Sequence, residues 1–442
     1  MAGLAAAVAD FTVSVTTDPD QLALADRVAR LFADTVAVAA AGRRAPSSSA
    51  LERAIGVIPD GPCRVIGSAT RTDMRTAALL NAFAAHALDF DDVSEVAYTH
   101  PSAVIVPVIS AVADAHIVTH GDAVEAYTIA FQVESALATA VPVRAAYSRG
   151  WHASGVLGPI TAAVAASRLL GLDADQARHA LGLAVASAGG TLANFGSMAK
   201  PLTVARAAAD GLWAAVLAGT GVTAGEDTLG GRGGFLDMFA ARDRAGLVAD
   251  ALDLPWALLE HGPDPKPYPA CSAARCAIDA ARLIGADPGQ IASITVTTEP
   301  HGLDALVHTD PRSADEARFS LGTLVALALV DGEVTSVSFS AESLGRQIVK
   351  DLAARVQAQT DAVPPIGPSA WKDAYAVVVA SDARGSTTSR RADAPQGAAW
   401  PWEDLHRKFD LCTAGHPDAD AWRDAVTGLA DERQWSSRFH LP

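Results

Sequence analysis

Basic residues are in short supply in this chain. Its 442 residues carry 34 Lys and Arg against 50 Asp and Glu, a formal net charge of −16. That balance disfavours nucleic acid as a partner and offers no basic face to an anionic membrane. A small anion remains allowed, because a few cations inside a cleft outweigh distant, screened surface acids. Cysteine is scarce as well: Cys63, Cys271, Cys276 and Cys412 are the four, and no two have Cys-x-x-Cys spacing. A zinc ribbon or dithiol redox motif is thereby disfavoured, and reduced thiols in the cytoplasm are expected. Aromatic residues make up 6%, too few to cradle carbocations. The opening MAGLAAAVADFTVSV has no basic segment before its apolar run, which predicts no signal peptide. Longer apolar stretches such as 153–171 are interrupted by Pro159 and Arg168, unlike a bilayer span of about 20 apolar residues.

What the chain does have is core-forming sequence: half of it is hydrophobic and 19% is charged, a balance that builds a large core in a soluble globular protein. Apolar residues Leu22, Val28, Leu31, Phe32 and Val36 recur at helical spacing before Gly42. Similar patterns cover about 72–89, 102–117, 121–147, 153–170, 173–188 and 201–220. Residues 1–262 therefore read as an all-helical domain. At HGPDPKPYPACS four prolines, Pro263, Pro265, Pro267 and Pro269, stop that texture. Beyond one more helix at about 272–285, SITVTTE alternates as a strand, and AYAVVVASDARGSTTSRR reads as a hairpin turning at Asp382 to Gly385. Residues 263–397 form the expected smaller α+β domain. Residues 398–442 return to helix, either packing back on the first domain or standing apart. The expected class is mainly α. GGRGG at 230–234 lacks both the preceding strand and the following Lys-Ser/Thr of a phosphate loop, and reads as a turn.

The chemistry-bearing residues begin with HALDFDDVSEVAYTH, residues 86–100, which places Asp89, Asp91 and Asp92 where an apolar helix ends. Carboxylates can hold Mg²⁺ or Ca²⁺, but calcium-loop spacing is absent. They can also protonate an alkene, or simply cap the next helix. His100 stands beside Pro101 at one helix entrance, and His152 lies between small residues at another, where free backbone N–H groups favour an anion. Lys200 and Lys266 each precede a proline and open a helix with an apolar side; the plainer alternative for each is a snorkelling surface lysine. Arg206 and Arg275 are weaker candidates of the same kind. Carboxylate, imidazole and ammonium groups together suit removal of a proton alpha to a carboxylate, where a base meets the proton and cations meet the enolate-like charge.

Six blocks in order, HALDFDD with THPSA, GWHASGVLGPITAAVAASRLLGLD, MAKPLTVARAAADGLWAAVLA, GGFLDMFA, KPYPACSAARCAIDAA and ARFSLGTLVALALVDG, resemble the MmgE/PrpD family. That family includes 2-methylcitrate dehydratase, cis-aconitate decarboxylase and iminodisuccinate epimerase. The resemblance implies a homodimer, with an all-helical domain completed by the C-terminal tail and an α+β lid inserted before it. It implies a site between the two domains with no metal or organic cofactor. Matched position by position, catalytic groups fall on Asp89, His100 and His152, with Lys200, Lys266 and Cys271 facing a small di- or tricarboxylate. A lyase is the expected outcome, with an epimerase as the alternative and an inactive binding subunit as a third. Departures are Val93 for the decarboxylases' threonine, Cys271 for their histidine, Thr323 for their pocket tyrosine and Thr203 for a histidine of many relatives. The tryptophan-bearing insertion of the dehydratases is also missing.

Overall fold

The structure is a computed structural model that describes residues 3–17, 22–394, 400–434 and 436–441. The expected boundary at 397/398 lies outside the described residues. The fold is mainly α-helical, with two small sheets. Helices start where the sequence supplies caps: Asp73 accepts from the Thr76 N–H at 3.0 Å at the head of Met74–His86, and Thr119 with Asp122 forms a capping box on His120–Ala140. Two boundaries differ from the periodicity. The expected helix to about 147 breaks at Pro142, which has no N–H to continue the ladder, and resumes as Val143–Ser148. The helix expected to reach 89 ends at His86, because Asp89 takes a left-handed backbone, φ 52°. The first 262 residues also contain a short antiparallel pair, β1 Cys63–Arg64 and β2 Arg71–Thr72.

Two hydrophobic cores hold the chain together. The larger draws on helices from Leu4–Ser14 to Ala257–His261 and also on Leu405, Phe409, Trp422, Val426 and Phe439, so the C-terminal helices Trp402–Thr413 and Ala419–Gly428 pack into it. The second lies on a four-stranded sheet of order β4-β3-β5-β6, with β3 Ile291–Thr298, β4 Val356–Thr360, β5 Tyr375–Asp382 and β6 Thr387–Asp393. β3 pairs in parallel with β4 and antiparallel with β5, and β5–β6 is the expected hairpin. Alternate residues Ile294 and Val296 of β3 and Ala376, Val378 and Ala380 of β5 join helices Arg275–Arg282, Leu321–Asp331 and Gln347–Ala354 in this core.

Small residues bring the site's helices together. A Cβ added to Gly155 would sit 2.5 Å from Thr203 Cγ2, one on Gly158 3.0 Å from the Ala207 Cβ, and one on Gly211 2.2 Å from the Pro159 carbonyl oxygen. The contact advances in the same direction along both chains, so Ala153–Leu169 and Ala199–Gly219 run parallel in near backbone contact. Their N-terminal ends, His152 and Lys200, therefore emerge side by side. Ala199–Gly219 is long and apolar enough to span a membrane, but 56% of that window is buried inside the protein.

Candidate active site

Asp89 lies three residues past the end of Met74–His86, its N–H closing a turn on the His86 carbonyl at 3.2 Å. The left-handed turn aims its carboxylate inward, where Oδ1 meets the ammonium of Lys200 at 2.6 Å and that of Lys266 at 3.1 Å. Lys266 also donates to the Asp89 carbonyl oxygen at 3.1 Å. All three side chains are buried. Burial by itself would raise the Asp89 pKa, but Lys200 and Lys266 outweigh it and hold the carboxyl well below its usual range. The lysines respond in opposite directions. Burial lowers Lys200 despite Asp89, whereas at Lys266 the opposing pull of Asp89 and Asp91 exceeds burial and raises the pKa. Lys200 is thus the more acidic ammonium of the two.

Three histidines line up beside this cluster. The His86 ring centroid is 4.4 Å from that of His100 and 6.3 Å from that of His152. His86 Nδ1 lies 2.7 Å from Asp91 Oδ2 and Nε2 lies 2.7 Å from Lys200 Nζ. With an ammonium on one side and a carboxylate on the other, the ring is neutral, protonated at Nδ1 and accepting at Nε2. His100 stands at the head of Pro101–Ala115 and turns Nδ1 to the Asp92 carbonyl oxygen at 2.7 Å, leaving Nε2 without a hydrogen bond among the described residues. His152 caps Ala153–Leu169, and both its ring nitrogens are buried without a hydrogen-bond partner among the described residues. Burial first, then nearby ammonium groups, pushes all three histidines well below their usual pKa, so each is neutral at neutral pH.

Asp92 has a different environment from Asp89. Its carboxyl accepts from the Ser102 N–H at 3.2 Å and from the Ser102 hydroxyl, capping the next helix, and burial pushes its pKa well up. The cluster therefore divides its work: Asp89 faces the ammonium groups, Asp91 orients His86, and Asp92 caps a helix.

Asp89, His100, His152, Lys200, Lys266 and Cys271 all line one cleft of about 170 Å³, whose apolar wall is a small cluster of its own, Phe195, Cys271, Ala305 and Phe319. Phe195 and Phe319 flank it, each with its ring centre close to Lys200 Nζ, at 5.0 and 5.3 Å. Burial pushes the Cys271 thiol up to about 11, so it is a neutral, weakly polar wall. Toward the mouth the lining turns acidic, with Glu95, Glu299, Asp304 and Asp373 near Arg144 and His301. Of the five non-glycine residues with positive φ among those described, Asp89, Tyr98, His301 and Asp373 line this cleft and only Ala240 does not. Backbone strain of this kind concentrates where function over-determines the chain.

His86, Asp89 and His100 each offer a ligand atom within 4.8 Å of the others, the grouping a metal would need. The donor set does not fit one. Both His86 nitrogens are engaged, and Asp89 Oδ1 already faces two ammonium groups that would repel a cation.

Some sequence expectations fall away from the cleft. Thr323 belongs to the N-terminal cap of Leu321–Asp331, where its N–H and hydroxyl meet the Ser320 hydroxyl, and it does not line the cleft; Phe319 from the same block does. Arg206 is exposed and lies 3.8 Å from Asp210, its helical neighbour. Arg275 lines a separate groove behind the site. His86 was visible only as the start of the acidic stretch; its signal was the five-residue spacing to Asp91 across a helix end. Lys408, discussed below, gave no local signal at all.

The MmgE/PrpD N-terminal domain matches residues 6–247, and the MmgE/PrpD C-terminal domain matches residues 268–430. Cis-aconitate decarboxylase of Mus musculus is 29% identical over 353 residues, covering 75% of this chain and 70% of that protein. The human cis-aconitate decarboxylase is 28% identical over 349 residues, with 75% and 71% covered. A cis-aconitate decarboxylase-like protein of Aspergillus oryzae is 33% identical over 223 residues, with 48% and 46% covered.

Proposed function

This chain belongs to the MmgE/PrpD family, and on that premise we propose that it is a cofactor-independent lyase acting on a small di- or tricarboxylate. The supporting observation is the floor of the cleft, where two buried ammonium groups share one carboxylate oxygen and a neutral histidine presents a free lone pair beside them. Lys200 and Lys266 bind a substrate carboxylate, aided by the N-terminal ends of the helices that carry His100, His152 and Lys200. His100 Nε2 takes the proton from the carbon alpha to that carboxylate. The C–H electron pair spreads into the carboxylate, where the ammonium groups stabilise it. In a dehydration the pair then forms the double bond as hydroxide leaves from the neighbouring carbon, taking a proton from Lys200. In a decarboxylation of an unsaturated acid, Lys200 first protonates carbon, and the C–CO₂⁻ pair re-forms the double bond as CO₂ departs. His152, unpartnered and 2% exposed, hydrogen-bonds the substrate. Residues 263–397 act as a lid over the helical domain, and the subunit works as a homodimer.

A second reading is an epimerase of the iminodisuccinate type, in which the proton returns to the opposite face. The acidic mouth favours it, since Glu95, Glu299, Asp304 and Asp373 suit an amine nitrogen better than a third carboxylate. Both are tested by incubating the protein with cis-aconitate, citrate and iminodisuccinate in D₂O and following proton NMR. Loss of CO₂ or water identifies a lyase. Deuterium entering an unchanged skeleton identifies an epimerase. No change with any of the three defeats the proposal.

A further inference from the structure

We propose that Lys408, on the C-terminal helix Trp402–Thr413, is a positioning residue that locks Asp89 and Lys266 into register. Its side chain is 4% exposed, and its ammonium forms three contacts. It is ion-paired with Asp34 of the helix Leu22–Arg43 at 2.6 Å, and it donates to the carbonyl oxygens of Phe90 at 2.7 Å and Lys266 at 3.0 Å. Phe90 follows Asp89 directly, and Lys266 is itself a floor residue. One cation thus fixes the backbone on both sides of the Asp89–Lys266 contact, from beneath and outside the cleft lining. The Phe90 ring, centred 4.0 Å from the Lys408 nitrogen, shields it.

The tie matters because both segments are otherwise irregular chain. Asp89 holds a left-handed backbone, and the 263–269 segment is broken by prolines, so neither is stiffened by a helix. Their one backbone-to-backbone link is the pair of 3.0 Å hydrogen bonds between Val93 and Asp264. Neutralising Asp34 would require only charge, whereas the two carbonyls require a donor at this point. The role as a positioning residue for catalysis rests on the proposed proton abstraction; the tie itself does not.

The test separates charge balance from positioning. In the double variant Asp34→Asn/Lys408→Met no unpaired buried charge remains, so any fall in its melting temperature reflects the two carbonyls left without their donor. Positioning then predicts a kcat lower by about 10- to 100-fold, with a smaller change in KM, since ångström-scale misplacement acts mainly on the chemical step. It also predicts faster hydrogen exchange at the Val93 and Asp264 amides. Asp34→Asn alone, which leaves Lys408 on both carbonyls, keeps the parental kcat and exchange, and it decides the matter should the double variant fail to fold. If the double variant keeps parental kcat and amide exchange, or if Asp34→Asn loses activity as fully as Lys408→Met, the inference is overturned. Amide exchange is read without substrate, so an absence of turnover in the parent would count against the proposed reaction while leaving the tie independently decided.

Discussion

Asp89 Oδ1 lies 2.6 Å from Lys200 Nζ, although 111 residues separate them in the chain. Their meeting turns an acidic motif at a helix end into a mixed floor: with Lys266 as the second partner, two ammonium groups share one carboxylate oxygen, while Asp91, the second carboxylate nearby, is turned to His86. A protein of net charge −16 thereby holds two buried ammonium groups at the floor of a cleft.

Neighbouring aspartates with opposite pKa shifts should answer differently to the same change. Asp89→Asn leaves two buried ammonium groups without their counter-charge, and a loss of about 3–5 kcal/mol is expected together with loss of activity. Asp92→Asn replaces a carboxyl whose ionisation burial already disfavours, and it can still accept from the Ser102 N–H. Its stability should stay within about 1 kcal/mol of the parent. Urea unfolding of the two variants checks the contrast.

Lys200→Met should lower kcat by about 10²–10³-fold, the usual effect of removing one group that meets developing charge. Lys200→Arg should not restore it. Nζ sits 2.6 Å from Asp89 and 2.7 Å from His86 in a buried space, and a planar guanidinium has neither the size nor the geometry for that position. Steady-state kinetics of the pair, compared with the parent, decides this.

His152 makes a sign-defined prediction about pH. Its folded pKa lies well below the ordinary 6.5, so between those values the unfolded chain binds a proton that the native one does not. The neutral imidazole therefore contributes fully above about pH 6.5, and stability is lost as pH falls below it. Removing the titration with His152→Phe should flatten the decline by about 1.4 kcal/mol per pH unit below that point. Unfolding free energies of parent and variant at pH 7, 6 and 5 provide the measurement; parallel curves would reject the assignment of a neutral buried ring.

All four cysteines are free and buried, with thiols raised to about 12 at Cys63 and Cys276 and about 11 at Cys271 and Cys412. The native protein should show no fast-reacting thiol toward a disulfide reagent at pH 8, and four after denaturation without reductant. A count below four in the denatured chain would contradict free thiols.

Local patterns carried much of this. Helix starts at His100 and His152 were legible because Pro101 and a run of small residues follow them, and the hairpin of β5 and β6 because valines precede a turn from Asp382 to Gly385. The end of the helix at His86 was not, since the acidic stretch keeps apolar neighbours and the left-handed turn at Asp89 belongs to no glycine. Nor could periodicity distinguish a snorkelling Lys200 from a buried one; that depends on a carboxylate more than a hundred residues away. Thr323 was misplaced for a related reason, because a matching block fixes a helix but not which of its residues reaches the cleft. Lys408 and Asp34 are separated by nearly the whole chain, and a lone lysine on an amphipathic helix has no local mark of burial.

The most direct test is solvent deuterium exchange at the carbon alpha to the carboxylate of a turned-over substrate, compared between the parent and His100→Gln. Exchange or product formation by the parent, reduced at least about a hundredfold in the variant, is the outcome expected of a base whose Nε2 lone pair meets that proton. Equal exchange in both proteins would show that His100 does not take it and would contradict the account of the cleft.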